Sequence, residues 1–513
     1  MRFLVHSEVG AGQIASSLGL PDYSYYFVLK EFLPVLQELG EVMVVERPES
    51  EVDRLYDEAR ARGEACLFLS FAPPHKTPAG LRCPTIPVFA WEFDSIPNQP
   101  WLDDERQNWA TVLAECGQAI THSLLTVQAA RAELGEDFPV VSIPAPVWDR
   151  FADFRATASS PRPVDASILV RSGVVMDSHD LSLVPYIPNV DAVARAVASA
   201  RAREQAVRPR PVQAGQAAPV GNEQSRLRIT LRYLVEWYRL VWCDLLRPAP
   251  PAPAAPPRAE QPAALEPTNP VEPGGLPEVA GEAPDMPDWP LAEHRLHLSG
   301  VVFTAVFNPY DGRKNWVDML TAFCSAFRDT PDATLLFKLG HRDYQSAMND
   351  MLMCMARMPA FKCRVVLLHG FLERDDFDRL IRSTAFVINA SHGEGQCLPL
   401  MEFLSCGKPA LAPRHSAMLD YIDDQVGFVV DSWLDATAWP HDPRLAYRTL
   451  RHQIDWGSLV KAYRDAYNCY VDTPERYQRM AATAIERMRG HCSRATARER
   501  LLALIDSHQG ACA

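Results

Sequence analysis

The feature that most limits how this chain can fold is an alternation. Short apolar runs and segments with helix-spaced apolar residues take turns along it in two blocks, and a proline-crowded stretch separates the blocks. In the first block Arg2–Ser7, Val42–Val45, Ala65–Phe71, Thr85–Ala90 and Phe138–Ile143 read as strands. Tyr25–Leu39, with Gly40 after it as a stop, reads as a helix. In the second block the strands are Val301–Val306, Ala333–Leu339, Arg364–His369, Phe386–Asn389, Pro409–Ala412 and Val426–Val430. Helices are expected over Trp316–Phe327, Asp375–Ser383 and Leu398–Cys406. This rhythm predicts parallel sheets with helices on both faces. Between the blocks, Pro248–Pro290 holds 14 of the chain's 43 prolines, and Val197–Val220 is rich in Ala, Arg, Gln and Pro. Such a composition buries too little apolar area to offset the entropy of ordering it. A disordered or extended linker is expected there. The chain therefore divides into an N-terminal α/β domain (1–165), an insertion (166–292), a C-terminal α/β domain (293–435) and a largely helical tail (436–513).

Within the insertion, Arg226–Leu246 carries Leu227, Leu231, Leu234, Tyr238, Val241 and Leu245 at three- and four-residue steps, with Arg and Trp interleaved. It reads as an amphipathic helix that either packs on a domain surface or lies on an anionic membrane. The net charge of −13 disfavours general nucleic-acid binding, which needs a basic field. The 12 cysteines form no CxxC pair and no zinc-spaced cluster, so reduced thiols of a cytosolic protein are expected. The N-terminus reads as a strand and not as a signal peptide, and no apolar run is long enough for a membrane span.

The segment Ser391-His392-Gly393-Glu394-Gly395-Gln396-Cys397-Leu398-Pro399-Leu400-Met401-Glu402 joins a strand to a helix. Pro399 suits the first turn, where its missing N–H has no intrahelical partner. Free N–H groups around Gln396, Cys397 and Leu398 make a site for a phosphate-bearing ligand, helped by a helix dipole worth roughly 0.3–1 kcal/mol. Gly395 lets backbone and ligand come close. Glu394 in the loop and Glu402 one turn into the helix can accept hydrogen bonds from sugar or ribose hydroxyls at the C-terminal edge of the sheet.

Glu394, Gly395, Leu398, Pro399, Glu402, Gly407 and Pro409 together resemble family 4 of the retaining GT-B glycosyltransferases. The resemblance is clear over about 295–435, fainter over 1–165 and absent from 166–290. It implies two Rossmann-like domains facing a cleft, with the acceptor side in the first and the nucleotide-sugar donor side in the second. It also implies that Glu394 contacts the donor sugar, that Glu402 contacts the ribose, and that Gln396 to Leu398 bind the donor phosphates. No metal and no cofactor beyond the donor are implied. The sequence departs from the family at Cys397, where a second glycine is usual, and at Asn308, where an Arg is usual.

Asn308-Pro309-Tyr310-Asp311-Gly312-Arg313-Lys314 also joins a strand to a helix. Lys314 matches the family's diphosphate-binding Lys, with Arg313 as a substitute for the absent Arg. Cations there can stabilise a leaving diphosphate. Lys338, near a strand end, is a further phosphate candidate. On the acceptor side, Gly10 and Gly12 follow the first strand. Phe89-Ala90-Trp91-Glu92-Phe93-Asp94-Ser95-Ile96-Pro97 resembles a segment of family members that build bacterial surface polysaccharides, making Glu92 and Asp94 candidates to orient or deprotonate a hydroxyl. His122, after another strand, is a packing or acceptor-side histidine. Asp376-Phe377-Asp378 spells Asp-x-Asp but falls in a helix and reads as a solvated face.

The resemblance implies transfer of a sugar with retention to a sugar or lipid-linked acceptor, in polysaccharide or glycolipid assembly. The setting would be the cytoplasm, with peripheral membrane contact through 226–246. Two other classes stay open. One is a non-catalytic scaffold on the same fold. The other is a nicotinamide-dependent oxidoreductase, since Gly10-Ala11-Gly12-Gln13-Ile14-Ala15 spells GxGxxA after a strand.

Overall fold

The computed structural model describes residues 1–9, 23–101, 103–157, 162–187, 198, 289–440 and 442–511. Gly10, Gly12, the GxGxxA segment, the amphipathic segment 226–246 and residues 248–288 lie outside the described residues.

The first block begins β1 (Arg2–Ser7), α1 (Tyr23–Leu39), β2 (Glu41–Val44), α2 (Pro48–Ala61), β3 (Cys66–Phe71) and β4 (Thr85–Phe89). It continues with α3 (Trp109–Cys116), β5 (Ala119–Thr121), α4 (Leu124–Leu134), β6 (Val140–Ser142) and α5 (Ala152–Thr157). Its strands form one parallel sheet in the order β2-β1-β3-β4-β5-β6. β3 is buried at all its residues, as a strand covered on both faces must be. Asn108 and Ser123 cap α3 and α4 by accepting from the backbone N–H of Thr111 and Thr126.

The second block runs β7 (Ala166–Asp177), β8 (Ala292–Leu298), β9 (Val301–Phe307), α6 (Trp316–Ala326), β10 (Ala333–Leu339), α7 (Gln345–Ala356), β11 (Arg364–Gly370) and α8 (Arg374–Ser383). It ends with β12 (Thr384–Ile388), α9 (Leu398–Ser405), β13 (Ala410–Pro413) and β14 (Gly427–Val430). The sheet order is β14-β13-β12-β9-β10-β11-β7-β8, parallel from β14 to β11, with β7 antiparallel to β11 and β8 antiparallel to β7. Two doubly wound α/β sheets are the architecture the sequence predicts. Chain order reverses between β9 and β12, and ligands of such sheets bind outside the strand ends at that reversal.

Two boundaries differ from expectation. Residues 166–177, assigned to the insertion, form β7 and belong to the second sheet. Ile168 and Val170 fill one apolar cluster and Val174 and Met176 another, on either side of a register shift near Gly173. The insertion therefore opens inside the edge of the second sheet. The helical tail is present but starts at Trp456. Before it, β15 (Ser432–Ala438) and β16 (Tyr447–Ile454) pair antiparallel. Pro440 and Pro443 between them would break a helix. The tail then runs through α10 (Trp456–Asp472), α11 (Pro474–Cys492) and α12 (Arg494–Ala511). α11 and α12 return to the first sheet: Met488, Leu501 and Ile505 share a buried cluster with Phe3, Val5 and Phe32. Asp376 on α8 is buried, not solvated, because its Oδ1 accepts from the Leu169 N–H at 3.0 Å and from Arg379 at 2.7 Å.

Candidate functional site

The site forms where β12 turns into α9. Leu400, Met401, Phe403 and Leu404 bury one face of α9, which fixes the helix and leaves its start at the sheet edge. Cys397 caps it with φ of +61°, a left-handed conformation that costs a side-chain-bearing residue roughly 1–2 kcal/mol and that glycine adopts freely. Glycine would adopt this shape freely, and the cysteine keeps it at a cost.

Glu394 is 2% exposed and saturated with donors. Lys314 Nζ lies 2.6 and 2.9 Å from its two oxygens, and Arg313 Nη1 lies 3.3 Å from Oε2. Asn389 Nδ2 and Ser391 Oγ donate to Oε1 at 3.0 and 2.6 Å. Its own N–H donates to Ser416 Oγ at 3.0 Å. Burial by itself would raise its pKa, but Lys314 and Arg313 overcome this and hold it at about 2. Arg313 is the hub of the cluster. Besides Glu394 it meets Asp311 at 2.9 Å and Glu92 of the first domain at 3.4 Å, and it donates to the Gly393 carbonyl at 2.8 Å. Burial lowers its pKa, and Glu92, Glu394 and Asp311 more than reverse this. Glu92 is pushed upward by burial, with Arg313 opposing.

The structure thus brings Glu92, Arg313, Lys314 and Glu394 together, and it places other candidates elsewhere. Glu402 pairs with Arg150 at 2.7 Å, and Arg150 lies 3.6 Å from Glu31 of α1. A β-carbon on Gly395 would stand 2.8 Å from the Ala90 β-carbon and 3.1 Å from the Trp91 nitrogen. The close neighbour that Gly395 admits is therefore the first domain. Gln396 is committed internally: its Oε1 accepts from the Ala145 N–H at 3.0 Å and its carbonyl from the Tyr421 hydroxyl at 2.9 Å. Leu398 is the first residue of α9. Cys397 Sγ accepts from Asn389 at 3.2 Å, and burial, then the charge of Glu394, push its thiol up to about 12.

Asn308 accepts from the Tyr310 N–H at 3.0 Å and so shapes the loop that carries Arg313 and Lys314. Lys338 is half-buried near the end of β10. Asp94 accepts from the Thr449 hydroxyl at 2.8 Å and the Leu450 N–H at 3.0 Å, which anchors the β15–β16 hairpin to the first domain. His122 is buried, with Nδ1 2.9 Å from the Ile143 carbonyl, and burial holds its pKa at about 4.

Asn389, Ser391, Asp311, Ser416 and Arg150 join the cluster or its flanks without having been singled out. Asn389 and Ser391 follow the end of β12, five and three residues before Glu394, and were legible there. Arg150 had no local signal. His392, His415 and His452 gather beside the loop, with the His415 and His452 rings stacked at 4.1 Å, because the hairpin delivers His452. Among the described residues no group of three or more His, Cys, Asp or Glu side chains is arranged to hold a metal ion, and no helix is long and apolar enough to cross a membrane.

No family model and no curated protein matches the chain. Among solved structures it is similar to Anabaena HepE in complex with UDP-glucose (12% identity, 99% of this chain and 100% of that one, TM-score 0.44). It is also similar to sucrose-phosphate synthase from Thermosynechococcus elongatus (10% identity, 99% of both chains, TM-score 0.45). A third is TarM of S. aureus (8% identity, 86% of this chain and 55% of that one, TM-score 0.40). Similarity at this level leaves the site's own residues to carry any functional assignment.

Proposed function

We propose that this chain is a glycosyltransferase that moves a sugar from a nucleoside diphosphate sugar to an acceptor hydroxyl, with retention of configuration and without a metal ion. The observation that supports this best is Glu394: an ionised, nearly inaccessible carboxylate at a strand-to-helix turn, flanked by two cations and the start of α9. Where Lys314 and Arg313 turn from it to the donor's phosphates, the ionised carboxylate is freed to accept hydrogen bonds from sugar hydroxyls. Arg313 and Lys314 beside it suit the negative charge that develops on a leaving diphosphate. The first-turn N–H groups of α9 lack intrahelical partners and suit the same anion. The cluster offers hydroxyl and phosphate binders, and the serine beside it that meets a histidine, Ser416 with Oγ 3.2 Å from His415 Nδ1, is already engaged by the Glu394 N–H. The leaving phosphate would therefore take the acceptor's proton on the face it departs from. Glu92, which meets Arg313 from the first domain, would orient the acceptor. Glu402 would turn from Arg150 to the donor ribose.

On this reading the acceptor is a sugar or lipid-linked hydroxyl, in polysaccharide or glycolipid assembly. The setting is cytoplasmic, with segment 226–246 as the membrane contact. The test is turnover of a panel of nucleotide sugars. Glu394→Gln is expected to lower turnover at least a hundredfold in a folded chain, and activity is expected to survive EDTA. Turnover unchanged in Glu394→Gln, or loss in EDTA with rescue by Mn²⁺, would refute the assignment.

A further inference from the structure

Lys338 stands apart from the other cations near the site. Arg313 faces three carboxylates and Lys314 faces Glu394. Among the described residues Lys338 forms no ion pair, and its half-buried amine donates to the carbonyl of Leu339, the next residue, at 3.1 Å. His369, on the neighbouring strand, has its pKa lowered by burial and further by Lys338 and His341. Arg342, close by, is paired with Asp343. Burial holds the Lys338 amine down at about 8, with no opposing carboxylate. Partial burial of a cation without a counter-charge is unfavourable, which makes a cation kept that way near a cleft a candidate ligand-binding group.

The sheet register says where that anion would lie. Lys338 is level with Val306 on β9. Val387 of β12 is level with Thr304, so Asn389 continues into line with Val306 on the same face. Two strand spacings separate the Lys338 and Asn389 columns, about 10 Å. Asn389 is the residue that donates to Glu394 at 3.0 Å. Val306 packs against the cluster containing Leu400, Met401 and Leu404, so this is the face that α9 covers. An extended lysine side chain can span much of that distance, although the amine here turns to the Leu339 carbonyl.

We infer that Lys338 is a further phosphate-binding residue of the donor subsite, one that meets no carboxylate among the described residues, whereas Arg313 and Lys314 must exchange theirs for the diphosphate. This rests on the nucleotide-sugar reading above. The test is calorimetric titration of the full chain and its variants with UDP, GDP, ADP and dTDP and with the matching nucleosides. For the diphosphate that the wild type binds best, Lys338→Met is expected to weaken binding at least tenfold and to change nucleoside affinity less than twofold. Its unliganded melting temperature should equal or exceed that of the wild type, since an apolar chain replaces an uncompensated charge. Lys338→Arg is expected to keep most of the affinity. Should Lys338→Met fail to fold, Lys338→Gln is read by the same ratio. A folded variant that binds the diphosphate within twofold of wild type, or that loses nucleoside and diphosphate affinity equally, overturns the assignment. A wild type that binds none of the four diphosphates overturns the donor reading itself, and this inference with it.

Discussion

Replacing Glu394 with Gln removes one charge and little volume, so its consequences can be worked from the site. The carboxylate receives Lys314, Arg313, Asn389 and Ser391, and its side chain is 3% exposed. Depression of its pKa from 4.5 to about 2 corresponds to about 3 kcal/mol of preference for the ionised form in the folded state. Arg313 keeps Glu92 and Asp311 in the variant, whereas Lys314 loses its carboxylate. The sign follows from linkage. A carboxylate whose folded pKa lies below its unfolded value contributes stability in full above about pH 4.5, and that stability is lost as pH falls toward 2. Glu394→Gln should therefore melt roughly 3–4 °C below wild type at pH 7, the shift that about 3 kcal/mol makes in a chain of this size. The gap should narrow steadily below pH 4.5. Thermal unfolding followed by near-UV circular dichroism from pH 7 to pH 3 measures both. Equal melting temperatures at pH 7, or a gap that does not shrink on acidification, would refute the electrostatic account of the site.

Gly395→Ala places a β-carbon 2.8 Å from that of Ala90, so the two halves must separate locally. A loss of about 1–3 kcal/mol in denaturant unfolding is expected, with nucleotide-sugar turnover falling alongside it. Arg150→Met leaves Glu402 and Glu31 buried without their shared cation. Burial already raises both carboxyls, and removing Arg150 raises them further. The variant should be less stable at pH 7 and recover toward pH 4.5, where the unfolded-state carboxyls also take up protons; differential scanning fluorimetry across that range reads it. The Cys397 thiol, pushed up to about 12, should resist alkylation by iodoacetamide at pH 7.5 in the native chain and react once unfolded, as peptide mass spectrometry would show.

Much of this molecule is legible in its sequence, and the reason is local. Burial on both faces makes a strand an unbroken apolar run, and an amphipathic helix repeats every 3.6 residues, so β3, β9, β10 and α9 announce themselves. Pro399 marks the start of α9, and the loop from Ser391 to Cys397 marks the place where a sheet edge meets a helix end. That Lys314 matters together with Glu394 was readable from a resemblance, but that the two lie 2.6 Å apart follows from β9 and β12 being neighbours, which strand order decides.

What the tertiary structure alone decided is the partner of each charged or tightly packed residue. Glu402 meets Arg150 across 252 residues of sequence. Gly395 makes room for Ala90, Asp94 holds a hairpin that arrives from beyond Asp431, and Ala166–Asp177 joins a sheet otherwise built after the insertion. Such pairings have no period and no fixed spacing. They depend on how whole elements pack, and packing is settled by the burial of all their faces at once, not by any one segment.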